Sequence, residues 1–108
     1  MQTVKTITVE ELKKMMDEHA DFQLIDVREP DEKQFADIGG ELMPMRSVLE
    51  QVHNIARDKP VVIYCRSGSR SGRIVALLQQ EYGFTNLYNL AGGILAWSDR
   101  IDPSIRKY

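Results

Sequence analysis

Two hydrophobic periods alternate along the chain. Behind Thr8-Val9-Glu10-Glu11, which has the form of a capping box, Val9, Leu12, Met15 and Met16 recur at helical spacing. They predict a first helix to about Glu18, closed by His19 to Asp21. Phe22 to Val27 is a short apolar run that ends in Asp26-Val27-Arg28-Glu29-Pro30. It reads as a buried strand feeding a polar loop, with Pro30 suited to open a short helix through about Ala36. After Gly39-Gly40, Leu42-Met43 allows only a brief strand before Pro44. Ser47-Val48-Leu49-Glu50 has the form of a second capping box, with Val48, Leu49, Val52 and Ile55 expected on one helical face.

Beyond Lys59-Pro60, Val61-Val62-Ile63-Tyr64 is apolar at every position, as a strand covered on both faces should be. From about Ser69, the spacing of Ile74, Leu77, Leu78 and Tyr82 predicts an amphipathic helix capped by Gly83. Leu87 to Leu90 reads as a last strand, and Gly92-Gly93 lead into a helix holding Ile94, Leu95 and Trp97. This alternation predicts an α/β fold: a central parallel sheet of about five strands, flanked by helices on both faces and built through right-handed crossovers.

Composition narrows the range of functions. At 108 residues, 43% hydrophobic and 28% charged, the chain fits one domain over residues 1–108, with no repeat or linker. A net charge of -2 gives no global basic field for nucleic acid or anionic membrane, so any anion site must be local. No apolar run is long enough to span a bilayer, and Met1 to Thr6 lack a signal-peptide pattern, so a cytoplasmic location is expected. One cysteine excludes an internal disulfide and a multi-cysteine zinc site; neither a metal nor a cofactor is expected.

That cysteine, Cys65, lies where the most apolar strand ends, and ligands of open parallel sheets sit beyond the C-terminal ends of strands. The segment Cys65-Arg66-Ser67-Gly68-Ser69-Arg70-Ser71 joins this strand to a helix. Gly68 lets the backbone curl, so N–H groups and the helix N-terminus can converge on one point that favours negative charge. Such surroundings lower a cysteine pKa to roughly 3.5–7.5 from about 8.5, which makes Cys65 a candidate nucleophile. Arg66 and Arg70 add positive charge, and Ser67, Ser69 and Ser71 add hydroxyl donors. Intracellular cysteines are ordinarily packed and inert, but two arginines, a glycine and three serines do not describe an apolar site. A solvated surface charge is the ordinary reading of Arg66; at Arg70, a cation at a helix start is unfavourable against the dipole, which favours a functional anion partner such as a bound substrate.

The loop CRSGSRS, the upstream IDVREP and the downstream NLAGGILAW closely resemble the rhodanese (thiosulfate sulfurtransferase) family, over Ile7 to Trp97. IGGELMP and GGILAWSDRIDPSIRKY look like the rhodanese domain of enzymes that activate ubiquitin-like sulfur carrier proteins in molybdopterin and thiamine synthesis, here without an adenylating domain. The resemblance implies that Cys65 bears a persulfide and that Cys65 to Arg70 form the active loop. It also implies that Asp26 and Arg28, within the family's DVR sequence, fix the architecture behind that loop. Ala36-Asp37-Ile38-Gly39-Gly40 departs from the glycine-histidine-isoleucine pattern of many members, which weakens any histidine role carried over there, though the variant resembles the carrier-activating branch.

The expected activity is transfer of a sulfane sulfur. The Cys65 thiolate attacks the outer sulfur of thiosulfate or a persulfide donor, and a nucleophile then takes the sulfur from Cys65. The acceptor would be cyanide in an assay, and a thiol or sulfur carrier protein in the cell. The fold resemblance extends to cell-cycle tyrosine phosphatases and arsenate reductases, whose loops hold one more residue between cysteine and arginine. The shorter loop here suits one extra sulfur atom better than a tetrahedral phosphate. A non-enzymatic partner-binding or redox-sensing module is the other alternative; such modules usually lack the cysteine. His19 and His53 read as ordinary polar residues, and Gly92 and Gly93 as packing and helix-opening positions. Asp26 reads as a salt-bridge or turn residue before a proton-handling one. Trp97, Met15, Met16, Met43 and Met45 read as packing, with an exposed Met43-Pro44-Met45 as a candidate partner border.

Overall fold

A computed structural model describes residues 3–108. In chain order the elements are β1 (Thr6–Ile7), α1 (Val9–Asp17), β2 (Gln23–Asp26), α2 (Pro30–Phe35), β3 (Glu41–Leu42), a 3₁₀ segment (Met45–Asn54), β4 (Val61–Tyr64), α3 (Ser69–Tyr82), β5 (Leu87–Leu90) and α4 (Gly93–Arg100). The strands form one five-stranded parallel sheet in the order β1-β5-β4-β2-β3. The first capping box closes as expected: the Glu11 N–H donates to Thr8 Oγ1 at 3.1 Å, and the Thr8 N–H donates to Glu11 Oε1 at 2.9 Å.

β4 holds the centre, and its side chains alternate between two cores as a pleated strand requires. Val61, Ile63 and Cys65 face the 3₁₀ segment and α3, among Val48, Ile55, Ile74, Val75 and Leu78. Val62 and Tyr64 face α1 and α4, among Val9, Leu12, Ile94 and Trp97. β4 and β5 are neighbours, but α3 leaves β4 toward one face and α4 leaves β5 toward the other. A crevice opens where adjacent connections part in this way. Cys65 and Gly92-Gly93 lie on its two sides.

Three local expectations are corrected, and one strand is not foreseen from the sequence. β1 is only two residues long, too short for a periodicity to register, and it joins the sheet by pairing with β5. The second capping box does not form: Ser47 lies inside the 3₁₀ segment, where its hydroxyl donates to the Pro44 carbonyl at 3.0 Å. With three residues per turn instead of 3.6, Val48 stays buried while Leu49 turns outward at 47% exposure. Met43 is buried in the core and borders no surface, because its N–H continues the pairing to the Asp26 carbonyl at 2.7 Å. On α3 the buried stripe is Ser71, Ile74, Val75, Leu78 and Gln79, with Tyr82 exposed beyond it.

Candidate active site

Cys65 is the first residue past β4, and the alternation of that strand aims its side chain toward α3. The loop then has to turn back over it. α4 supplies the hold: the N–H groups of Ile94 and Leu95 donate to the carbonyls of Cys65 and Arg66 at 3.0 and 3.1 Å. With those carbonyls drawn toward α4, the N–H groups that follow are free to point the other way. Gly93 permits the approach, since a Cβ there would lie 2.5 Å from both carbonyl oxygens. Gly68 makes the second turn at φ +104°, a left-handed conformation that favours glycine.

The result is a ring of donors around Cys65 Sγ. The Gly68 N–H lies at 3.1 Å, the Ser71 N–H at 3.4 Å and the Ser71 hydroxyl at 3.3 Å, at the N-terminus of the 14-residue helix α3. Cys65 is only 1% exposed, so the sulfur forms the floor of the loop. Burial alone pushes the thiol pKa up, but the Ser71 hydroxyl and the N–H groups of Ser71, Gly68 and Ser67 bring it below the ordinary cysteine value. Arg66, Ser67 and Ser69 form the exposed rim.

Asn89, on β5, braces the loop from beneath. Its Nδ2 donates to the Gly68 carbonyl at 3.0 Å, and its Oδ1 lies 2.5 Å from the Ser71 hydroxyl. The single hydroxyl proton is therefore shared between Asn89 and the sulfur. Gly72 leaves room for this brace, since a Cβ there would sit 3.1 Å from Asn89 Nδ2.

Asp26 and Arg28 form a fully buried ion pair behind the loop. Arg28 Nε and Nη2 donate to the two Asp26 carboxylate oxygens at 2.9 and 2.8 Å. The remaining guanidinium contacts go to the carbonyls of Ala36 and Glu32 and to the Tyr108 hydroxyl. Burial opposes its charge, but Asp26 and Tyr108 hold the guanidinium above its ordinary pKa. The pair ties the end of β2 to both ends of α2. The Tyr64 hydroxyl joins at Asp26 Oδ2, and burial followed by the Asp26 charge raises its pKa.

Fixing α2 fixes Glu32. Its carboxylate accepts two bonds from Arg70, at 2.8 and 2.9 Å, one from the Tyr108 hydroxyl at 2.7 Å and one from the Glu29 N–H at 3.0 Å. The anion expected to partner Arg70 from a bound substrate is thus supplied by Glu32 of the chain itself, which corrects that expectation. Arg66 donates to the Tyr108 carbonyl and lies over the Tyr108 ring, 5.2 Å from its centroid. The structure thus gathers Cys65 to Ser71 into one loop with Asp26 and Arg28 behind it. His19, which takes a left-handed φ of 53° just past α1, and His53, in the last turn of the 3₁₀ segment, belong to other parts of the molecule.

Glu32, Asn89 and Tyr108 do not stand out in the sequence. Asn89 leaves a trace: it is a polar residue two positions after Leu87 on the buried face of β5, level with Ile63 of β4. Glu32 and Tyr108 leave none, since Glu32 is 38 residues from Arg70 and 76 from Tyr108.

A parallel sheet wrapped by helices on both faces, with a cysteine cradled by amides at a strand end, defines a class of α/β domains. Within that class, residues 8–100 match the Rhodanese-like domain family, and the chain belongs to it. It is 38% identical over 96 residues to a protein named Sulfurtransferase from Allochromatium vinosum, covering 88% of this chain and 89% of that one. It is 33% identical over 106 residues to the probable adenylyltransferase/sulfurtransferase MoeZ of Mycobacterium tuberculosis, covering 95% of this chain and 27% of MoeZ. The crystal structure of a rhodanese-like domain protein from Staphylococcus aureus superposes with a TM-score of 0.79 at 27% identity, covering 97% of this chain and 99% of that one. The chain spans only 38% of the chloroplastic Rhodanese-like/PpiC domain-containing protein 12 of Arabidopsis thaliana, to which it is 37% identical over 115 residues, 99% of this chain. These relationships place it in a sulfurtransferase family. No helix among the described residues is long and apolar enough to cross a membrane.

Proposed function

We propose that this chain transfers a sulfane sulfur from thiosulfate or a persulfide donor, through a persulfide on Cys65, to a thiophilic acceptor. One observation carries the reading: three donor groups, two N–H and one hydroxyl, lie 3.1–3.4 Å from Cys65 Sγ and favour its ionised form. The thiolate attacks the donor's terminal sulfur, forming the Cys65 S–S bond as the donor's own S–S bond breaks. Sulfite leaves from thiosulfate, or a thiolate from a persulfide. In the second step the acceptor attacks the outer sulfur, and the electron pair returns to Cys65.

The depth of the sulfur supports the same reading. A floor with 1% exposure suits a substrate that reaches it through a terminal sulfur with no group beyond. In this scheme the N–H groups of Ser67, Gly68 and Ser71 hold the negative charge, Ser69 and Arg66 meet the donor at the rim, and Arg70 closes the loop's side. Asp26 and Arg28 act by support. Similarity to MoeZ, named an adenylyltransferase/sulfurtransferase, favours a sulfur carrier protein as the acceptor in the cell, with a thiol as the alternative and cyanide as the assay acceptor.

The test is mass spectrometry of the intact chain after exposure to each donor. A gain of one sulfur atom on the peptide containing Cys65 is expected, discharged by cyanide, with none in Cys65→Ser. Transfer retained in Cys65→Ser would overturn the assignment.

A further inference from the structure

Both loop arginines are already engaged, and this bears on which donor the site accepts. Arg70, the only arginine on the first turn of α3, is held by Glu32 in a two-bond pair, the geometry in which guanidinium and carboxylate bind each other best. Glu32 is itself fixed by the Tyr108 hydroxyl and the Glu29 N–H, so the pair does not depend on two mobile side chains finding each other. The carboxylate is 16% exposed and Arg70 30%, which limits solvent screening of both. Glu32 is ionised at neutral pH, because Arg70 above all, and then Tyr108, hold its pKa below the ordinary glutamate value against the effect of burial.

The charges around Cys65 Sγ follow. Glu32 cancels Arg70, so the loop itself keeps Arg66 at its rim and the neutral amides of the ring. Thiosulfate carries two negative charges to a thiolate that already carries one. A simple alkyl persulfide carries one. With Arg70 neutralised, the difference of one charge weighs against thiosulfate.

We propose that Glu32 is a specificity-determining positioning residue: by holding Arg70 in a two-bond pair, it withholds a cation from the loop and selects singly charged persulfide donors over thiosulfate. This rests on the sulfurtransferase reading and narrows it to a donor class. Glu32 acts through Arg70 and touches neither the donor nor Cys65.

The experiment measures the second-order rate of Cys65 persulfide formation, by rapid quench and mass spectrometry, with thiosulfate and with hydroxyethyl persulfide as the singly charged donor. The readout is the ratio of the two rates on one protein sample, so any misfolded fraction cancels. Wild type is expected to favour the persulfide. Glu32→Gln should raise the thiosulfate-to-persulfide ratio by about fivefold, the order expected for one unit of charge acting over several ångströms of partly hydrated space. The thiosulfate rate in that variant should also fall more steeply with added salt. Glu32→Asp, which keeps the charge, should hold the ratio near that of wild type. An unchanged or lower ratio in Glu32→Gln, with Cys65 still loaded, would overturn this inference and leave the sulfurtransferase reading standing. Failure of both donors to load wild-type Cys65 would overturn that reading, and this inference with it.

Discussion

Replacing Ser71 by alanine takes one donor from Cys65 and, at the same time, one from Asn89. A hydrogen bond to a charged acceptor contributes about 1.5–3 kcal/mol net. Here one hydroxyl proton is divided between Sγ at 3.3 Å and Asn89 Oδ1 at 2.5 Å. Assigning roughly half of the larger figure to the sulfur leaves about 1.5 kcal/mol, which corresponds to a rise of about one pKa unit for Cys65 in Ser71→Ala. Because the chain has one cysteine, the ultraviolet absorbance of the thiolate against pH, read below the range in which tyrosines ionise, reports this residue alone. The pH profile of persulfide formation should move up with it. Stability gives a second readout of known sign. The folded thiol ionises below its ordinary value, so between the folded and unfolded pKa values the unfolded state binds more protons. Stability therefore rises with pH across that window and is lost as pH falls through the folded value. Ser71→Ala should narrow the window, and should also cost about 1–3 kcal/mol by leaving Asn89 Oδ1 buried without its donor. A Cys65 shift of less than about a third of a unit would refute the assignment of the Ser71 hydroxyl as a thiolate donor.

Two further substitutions probe the supports of the loop. Asp26→Asn leaves the buried Arg28 guanidinium without its charge partner and should lower the stability measured by urea unfolding by about 3–5 kcal/mol, the range for breaking a buried pair. A loss below about 1 kcal/mol would mean that the pair does not hold α2 in place. Gly93→Ala puts a Cβ 2.5 Å from the carbonyls of Cys65 and Arg66 at a backbone φ of +58°. It should cost about 1–3 kcal/mol from backbone strain alone, and should abolish most Cys65 loading in the same mass-spectrometric assay. Loading at the wild-type rate would show that the α4 contact does not shape the ring.

The central strand and α3 were legible from residues 61–83 because their signals are local. Four consecutive apolar positions give β4, helical spacing gives α3, and Gly83 gives its end at φ +69°. The loop was legible for the same reason, since Cys65, Gly68 and Ser71 are close neighbours in the chain and their donors converge within one turn. Ser47 misled because a serine with a glutamate three positions later satisfies the capping-box pattern whether or not the chain winds at 3.6 residues per turn. Only packing of the 45–54 segment against α3 and the sheet set its tighter winding.

Sequence alone therefore determined the alternation of strand and helix, the identity of the nucleophile candidate and the curl of its loop, all properties of residues within one or two turns of each other. Tertiary structure decided what surrounds that loop: the α4 amides that turn its carbonyls aside, the Asn89 brace from β5, and the Glu32–Arg70 pair that neutralises one of its cations. Those contacts join residues separated by 21 to 38 positions, and α4 to a strand end across the sheet. A periodicity or a cap is written into neighbouring residues by backbone geometry, whereas a pair of distant side chains meets only after the sheet has fixed where each element lies.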